Sequence, residues 1–238
     1  MSEMTNQNQP TIGARLLMGL AVRLILFPVA IMWPAGTWKW WEAWVLIGMW
    51  MAFLISLTIF LLHRDPALLI ERMKAGPVQK GQKTWDKVVM LLMFALAIGF
   101  YIIPGFDVVR FEWSEPFPLW IEFVAMIIHI PCFVFLGWVM KTNTYLSPVV
   151  KIAHDRGHQV VTDGPYAIVR HPMYSAVIVL LFVFPVSVGS KFGLIPAALM
   201  AALFVIRTYF EDRTLHAELP GYTKYARITL YRLIPGIW

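Results

Sequence analysis

Residues 157–174 are polar, are punctuated by glycine and proline, and lie between two strongly apolar segments. Gly157, Gly164 and Pro165 favour turns over a continuing helix, so the backbone can present N–H and C=O groups to a ligand. The aromatic rings of this stretch can stack on a purine and form hydrogen bonds at their edges; they belong to His158, Tyr166, His171 and Tyr174. The pattern fits a ligand-binding segment and an ordered membrane-surface loop equally well.

Pro172 is suited to the first turn of a helix that follows this stretch. His171 and Tyr174 are therefore expected near a helix N-terminus, where a carboxylate or phosphate is favoured. A ligand with an anionic group is consistent with this position.

A second candidate lies on the last apolar segment, where Arg207 and Glu211 are four residues apart and share one helical face. They can form a local ion pair, which contributes only about 0.3–0.5 kcal/mol. Alternatively, Arg207 binds an anionic substrate group and Glu211 a cationic one. Charge at the edge of a membrane core is costly unless it is partnered, which makes the functional hypothesis reasonable.

The composition of the chain predicts an integral membrane protein. Hydrophobic residues make up 59% of the 238 residues and charged residues 14%, whereas soluble domains have about 45–50% and about 25%. No cleavable signal peptide is expected, because residues 1–11 are polar and the first apolar run is long. We interpret the net charge of +6 as reflecting the membrane topology and attraction to anionic lipid headgroups, rather than the binding of nucleic acid.

Six apolar runs approach the roughly 20 residues that a membrane-spanning helix needs. Their ranges are 16–33, 41–62, 85–103, 118–140, 174–188 and 192–209. A closed barrel is disfavoured because the runs are continuously apolar rather than alternating. We therefore expect an all-α bundle of about six spans, with five as the alternative, in which the short fifth run forms a hairpin with the sixth. The predicted division is 1–140, with spans one to four and a basic loop over 63–87 for substrate access, and 141–238, with the cofactor loop, the hairpin and a tail.

Basic residues cluster in alternate connections, which predicts that both termini and the 157–174 stretch face the cytoplasm. The clustered residues are Arg64, Arg72, Lys74, Lys80, Lys83, Lys87, Lys141, Lys151, Arg156, Arg170, Arg213, Lys224, Arg227 and Arg232. The remaining connections hold only Lys39, Arg110 and Lys191.

The loop from Asp65 to Lys74 predicts a short helix with Asp65 as its cap and Pro66 in its first turn. Leu68, Leu69 and Met73 are expected on the membrane surface, with the basic residues of the loop toward water.

Several familiar signatures are absent from the sequence: G-x-G-x-x-G after a strand, the P-loop, H-E-x-x-H and paired C-x-x-C. A Rossmann nucleotide domain and a metal cluster are therefore not expected. Any cofactor must be held in another way.

The motif Gly164-Pro-Tyr-Ala-Ile-Val-Arg-His-Pro-Met-Tyr174, followed by an apolar hairpin and Arg207-x-x-x-Glu211-Asp212, resembles the isoprenylcysteine carboxyl methyltransferase family. That family is itself similar to membrane phospholipid N-methyltransferases. The resemblance runs from Asn143 to Gly221-Tyr-x-x-Tyr225. The first four spans match only in hydropathy and in the 65–74 loop, which is similar to that of bacterial members.

The resemblance implies that S-adenosylmethionine is held between the cytosolic loop and the last helices. The cofactor-binding positions that it implies are Lys151, His158, Gln159, Val160, Val161, Tyr166, His171, Pro172, Met173, Tyr174 and Glu211. It assigns Arg207 to a substrate carboxylate, so Arg207 and Glu211 are the expected catalytic residues. Lys151 stands where eukaryotic members have Gln, and Asp212 where they have Glu.

These features predict a membrane methyltransferase that takes a lipophilic acceptor from the bilayer and methylates it at the cytoplasmic face. A carboxylate acceptor, such as a prenylcysteine-type acid, is ionised at neutral pH because its reference pKa is about 4, and it needs no general base. A thiol or amine would have to lose a proton, to His171 or Glu211. The alternatives are a phospholipid or small-thiol methyltransferase, a membrane reductase that uses NADPH, and a non-catalytic membrane protein such as a small transporter or assembly factor.

Overall fold

The structure is a computed structural model that describes residues 12–73, 76–152 and 157–238, with side chains described from residue 18 onward. Two basic residues used to predict the topology, Lys74 and Arg156, lie outside the described residues, as does the polar segment 1–11.

Every regular element in the described part of the chain is helical, which confirms the predicted all-α fold. One turn of π-helix, Phe106–Arg110, continues the fourth α-helix, and a short 3-10 helix spans Gly164–Ala167. The α-helices are α1 (Ile12–Ala35), α2 (Trp41–Arg64), α3 (Pro66–Met73), α4 (Thr84–Gly105), α5 (Leu119–Thr142), α6 (Pro172–Ser187), α7 (Leu194–Glu218) and α8 (Tyr222–Ile228).

Five of these helices, α1, α2, α4, α5 and α7, are long and apolar enough to cross a membrane. The protein is therefore an integral, multi-pass membrane protein. The apolar helix α6 is shorter, with 16 residues, and packs between α5 and α7. It is the short fifth run of the sequence, so the bundle agrees with the prediction of about six spans. The cytoplasmic placement of the termini and of residues 157–174 remains a prediction.

The centre of the bundle is an aromatic cluster around Phe184 of α6, which is almost completely buried. The ring of Phe184 lies 4.9 Å from that of Phe100, 5.6 Å from that of Tyr101 and 6.5 Å from that of Phe27. Contacts between rings at these separations favour tilted and edge-to-face arrangements. The cluster packs the C-terminal half of α6 against α1 and α4.

The short helix α3 begins as predicted, since the backbone N–H of Leu68 donates to Asp65 Oδ1 over 2.9 Å. The expectation that its apolar side chains lie on the membrane surface is wrong. Leu68 is 0% exposed and Leu69 3%, and both pack in a cluster with Leu61 and Met140. An amphipathic pattern predicts that one face is buried, but it does not distinguish burial in lipid from burial against the ends of α2 and α5.

Candidate active site

A cleft lies at the end of the bundle where α5 ends, α6 begins and α7 ends. It contains about 810 Å³ of empty space, part of it open to solvent. Every cofactor-binding position implied by the sequence resemblance lines it: Lys151, His158, Gln159, Val160, Val161, Tyr166, His171, Pro172, Met173, Tyr174 and Glu211. The structure therefore brings these positions together, and their binding of a cofactor stays a prediction.

Glycine allows the chain to turn into this cleft at two places. Gly157 has a φ of +59° and Gly164 a φ of +57°, a conformation that glycine adopts without the steric cost other residues meet. At Gly164 a Cβ would also lie 3.1 Å from Trp138 Nε1 and 3.1 Å from Thr142 Oγ1, both on α5. The predicted turns are confirmed, and Gly164 lets the loop approach α5 closely.

Tyr166 is held at the cleft wall from two sides. Its hydroxyl oxygen accepts a 2.9 Å hydrogen bond from Asn143 Nδ2, and its backbone carbonyl accepts one of 2.7 Å from Tyr225 Oη. Burial raises the pKa of the Tyr166 hydroxyl above its ordinary value, and that of Tyr225 to about 12. Both hydroxyls therefore keep their protons at neutral pH, and Tyr166 can donate into the cleft.

The first turn of α6 orients an acidic side chain toward the cleft. Pro172 is the first residue of the helix, as predicted, and Tyr174 Oη donates a 2.6 Å hydrogen bond to Glu211 Oε2. The ring of His171 lies parallel to that of Tyr174, with the centroids 5.8 Å apart. A half-buried carboxylate fixed in this way is suited to a ligand with a cationic group.

The lining of the cleft includes two further rings. The ring of Tyr145 stacks on that of His158, with 4.7 Å between the centroids and an interplanar angle of 28°. Both residues line the cleft. Flat aromatic surfaces of this kind suit a planar heterocycle.

Lys151 lines the cleft, but its charge is compensated by α3. Its Nζ lies 2.7 Å from Glu71 Oε1, and Ser147 Oγ donates to the same oxygen over 2.8 Å. The pair therefore anchors α3 to the loop that follows α5. No pattern in the sequence predicts this contact, because the two residues are far apart in the chain.

Arg207 lines neither the cleft nor the cavity described below. It is 4% exposed, donates from Nε to Asp86 Oδ1 over 2.8 Å and from Nη2 to the carbonyl of Pro148 over 2.8 Å. Its Cζ lies 5.4 Å from the ring centroid of Tyr174. Arg207 thus pairs with Asp86 and not with Glu211, so the local ion pair considered from the sequence is wrong. Binding of a substrate carboxylate by Arg207 stays a prediction.

Asp86 is a residue that sequence reasoning missed. It is fully buried at the start of α4 and accepts, besides Arg207, the side-chain amide of Gln82 over 2.9 Å and the backbone N–H of Val150 over 2.8 Å. One carboxylate therefore joins α4, α7 and the loop that carries Lys151. A charged residue two positions into an apolar run was the available signal.

Asp212 joins the cleft to the C-terminal segment. It is 1% exposed and accepts from Arg170 Nε over 2.9 Å, from Arg232 Nε over 2.8 Å and from Tyr222 Oη over 2.8 Å. His171 Nε2 lies 3.5 Å from Asp212 Oδ1. The neighbouring acids of α7 thus differ in position, since Glu211 lines the cleft and Asp212 is enclosed by cations and a tyrosine.

A second cavity, here called the membrane cavity, lies among helices α1 to α7 and contains about 1270 Å³ of empty space. Its walls are mainly apolar and aromatic, and Arg23 and Arg72 are the charged side chains among the described residues that line it. Met173, at the start of α6, lines both this cavity and the cleft. The two cavities therefore share a wall at the N-terminal end of α6.

The described residues contain no group of three or more His, Cys, Asp or Glu side chains that could hold a metal ion.

Comparison with known proteins confirms the resemblance read from the sequence. Residues 124–217 match the model of the isoprenylcysteine carboxyl methyltransferase family. The chain is also 30% identical over 152 residues to the nickel-cobalt-cadmium resistance protein NccN of Alcaligenes xylosoxydans xylosoxydans. That alignment covers 61% of this chain and 60% of NccN, so the chain spans less than two thirds of the length of this curated relative.

Proposed function

We propose that the protein is an S-adenosylmethionine-dependent methyltransferase of the membrane, because residues 124–217 match the model of the isoprenylcysteine carboxyl methyltransferase family. Its acceptor is a lipophilic molecule that enters from the bilayer, and a carboxylate such as a prenylcysteine-type acid is the acceptor we favour. The partners are thus membrane lipids and a lipid-like substrate. We place the reaction on the cytoplasmic side, as the loop charges indicate.

The observation that carries this proposal is the wall shared by the two cavities. Met173 lines a polar cleft on one side and a mainly apolar cavity on the other. A polar, charged cofactor and an apolar acceptor need different surroundings, and their reacting atoms must come together. The beginning of α6 is the place in this bundle that provides both.

The chemistry of the cleft residues fits the proposed cofactor. Glu211 can bind an ammonium group, while Tyr145 and His158 offer stacked rings to an adenine. Tyr166 can donate a hydrogen bond, and Val160 and Val161 contribute apolar wall. When bound, S-adenosylmethionine supplies a methyl group whose bond to sulfur breaks as a bond to the acceptor atom forms, leaving S-adenosylhomocysteine.

For such a transfer the protein must chiefly position groups and exclude water. Glu211 is assigned to the cofactor. Arg207 is assigned to turnover, because it places a positive charge over the ring of Tyr174 and binds Asp86, which accepts the backbone N–H of the cleft residue Val150. Direct contact of Arg207 with an acceptor carboxylate requires that carboxylate to reach past Tyr174.

Incubation of native membranes with methyl-labelled S-adenosylmethionine tests the function. At a limiting concentration of the cofactor we expect a labelled, lipid-soluble product in membranes that contain the protein and much less of it in membranes with the Glu211→Gln variant. Release of the label by mild base identifies an ester and hence a carboxylate acceptor, whereas base-stable label identifies an amine or thiol. Absence of label together with an NADPH-dependent absorbance change would replace the proposal with a membrane reductase.

A further inference from the structure

Arg72, near the end of α3, lines the membrane cavity. Within residues 12–73, 76–152 and 157–238 it makes no hydrogen bond or ion pair. Its neighbour Glu71 does not compensate it, because that carboxylate is bound by Lys151 and Ser147. A partly buried arginine without an anion is costly and marks a place where an anion can bind.

The charges around Arg72 also favour the binding of an anion. Arg23 lines the same cavity and donates to the carbonyl of Gly19 over 3.0 Å and to Met73 Sδ over 3.3 Å. None of the described residues that line the cavity is acidic. Burial lowers the pKa of the Arg72 guanidinium, Tyr174 and Tyr166 partly offset this shift, and the nearby charges of Arg207 and Arg23 add to it. Arginine nonetheless stays protonated at neutral pH, so the cavity keeps its positive charge.

We propose that Arg72 binds the carboxylate of the methyl acceptor, while the apolar chain of the acceptor occupies the membrane cavity. The inference rests on the proposed function and assigns the recognition of the acid group to Arg72. A guanidinium pairs with a carboxylate through two parallel N–H donors, which fixes orientation as well as position. Arg72 interacts electrostatically with Tyr166 and Tyr174, both of which line the cleft, so a carboxylate held by Arg72 lies on the side of the cavity that borders the cleft.

The test compares an acid with its neutral ester at the membrane cavity. Trp50 lines that cavity, so quenching of its fluorescence by dibromostearic acid, at a mildly alkaline pH that ionises the acid, reports entry. Dibromostearic methyl ester is the matched neutral probe. The part of the signal that disappears in a Trp50→Phe variant belongs to the cavity, as distinct from tryptophans that face lipid.

We expect the wild-type protein to bind the acid at least about ten-fold more tightly than the ester, as a charge-assisted pair provides. Arg72→Gln should remove this preference, and Arg72→Lys should restore part of it. Arg64→Gln is the matched control, because Arg64 is exposed at the end of α2, and it should leave the preference unchanged. Equal binding of acid and ester by the wild type, or an intact preference in Arg72→Gln, would overturn the inference.

Calorimetric titration of the same variants with S-adenosylhomocysteine separates the inference from the function on which it rests. Normal cofactor affinity in Arg72→Gln shows that the variant is folded and is the expected result. If the wild type binds no S-adenosylhomocysteine, the proposed function fails while the acid preference still reports on Arg72. If Arg72→Gln loses cofactor affinity and keeps the acid preference, the arginine belongs to the cofactor site and the inference is overturned.

Discussion

Arg207 Nε lies 2.8 Å from Oδ1 of Asp86, so the last long helix is joined to the first turn of α4 by a pair in which both side chains are buried. Two hydrogen bonds from Gln82 and Val150 complete the surroundings of that carboxylate. A buried ion pair of this kind is costly to break, because removal of one partner leaves the other charge uncompensated. The pair therefore stabilises the bundle and, through the hydrogen bond from Val150, also helps to position the cleft wall.

Replacement of Asp86 by asparagine should destabilise the protein strongly. The change keeps the size of the side chain but leaves the Arg207 charge unpaired, so we expect a loss of about 3–5 kcal/mol in the free energy of unfolding. Denaturant unfolding of the purified protein in detergent measures it. Asp163→Asn removes an exposed carboxylate and should change stability by no more than about 0.5 kcal/mol. Equal stability of the two variants would show that the buried pair is not important.

Arg207→Ala should abolish methyl transfer and largely preserve cofactor affinity, because Arg207 does not line the cleft. Turnover is measured with labelled cofactor, and affinity with S-adenosylhomocysteine. Arg213→Ala is the control, since Arg213 is exposed on the same helix, and it should retain activity. Normal turnover in Arg207→Ala would remove this residue from the catalytic assignment.

Glu211→Gln should weaken the binding of the cofactor. The carboxylate lines the cleft and is oriented by Tyr174, and loss of its charge removes a charge-assisted contact of about 1.5–3 kcal/mol, or roughly ten- to a hundred-fold in Kd. Tyr174→Phe leaves the charge but frees its orientation, so its effect should be smaller. Glu218→Gln, farther along α7, should bind normally. The assignment of Glu211 would be wrong if Glu211→Gln and Glu218→Gln had the same Kd.

Tyr222→Phe should loosen the C-terminal segment from the cleft. The Tyr222 hydroxyl donates to the buried carboxylate of Asp212 over 2.8 Å, and a hydrogen bond to a charged group contributes about 1.5–3 kcal/mol. Faster proteolysis within residues 219–238 and a lower melting temperature are expected. Tyr231→Phe, at a more exposed tyrosine, serves as the comparison. An unchanged rate of proteolysis in Tyr222→Phe would mean that other contacts hold the C-terminal segment in place without this hydrogen bond.

Gly164→Ala should destabilise the protein more than Gly157→Ala. Both glycines have a positive φ, which costs alanine about 1–2 kcal/mol. At Gly164 the new methyl group also approaches Trp138 and Thr142 at 3.1 Å, whereas no described atom lies within 4 Å of a Cβ at Gly157. Thermal unfolding of the two variants measures the difference, and equal losses would mean that the neighbouring side chains move without cost.

Apolar run length predicted the helical class and the approximate number of spans, because the bilayer requires long apolar helices. The turns at Gly157 and Gly164 and the start of α6 at Pro172 could be predicted, because they depend on the local backbone preferences of glycine and proline. The resemblance to a known family predicted a set of cofactor-binding positions, and the structure places all of them in one cleft. Each of these signals is local in the chain or belongs to a compact motif.

What the sequence could not predict depends on contacts between distant segments. Asp86 is paired with Arg207 across the fold, and Glu71 with Lys151. Likewise, the pattern of α3 predicted a buried face but not its partner, so Arg72 was expected to face water, whereas it lines the membrane cavity. Such pairings are fixed by how the helices pack, which residue spacing within one helix does not specify.

Calorimetric titration of the purified wild-type protein with S-adenosylmethionine and S-adenosylhomocysteine tests the central claim most directly. We expect saturable binding of both, with one site per chain, and a marked loss of affinity in Glu211→Gln. Absence of saturable heat with either compound, from protein that is folded by its unfolding transition, would contradict the claim that the cleft at the beginning of α6 holds a methyl donor.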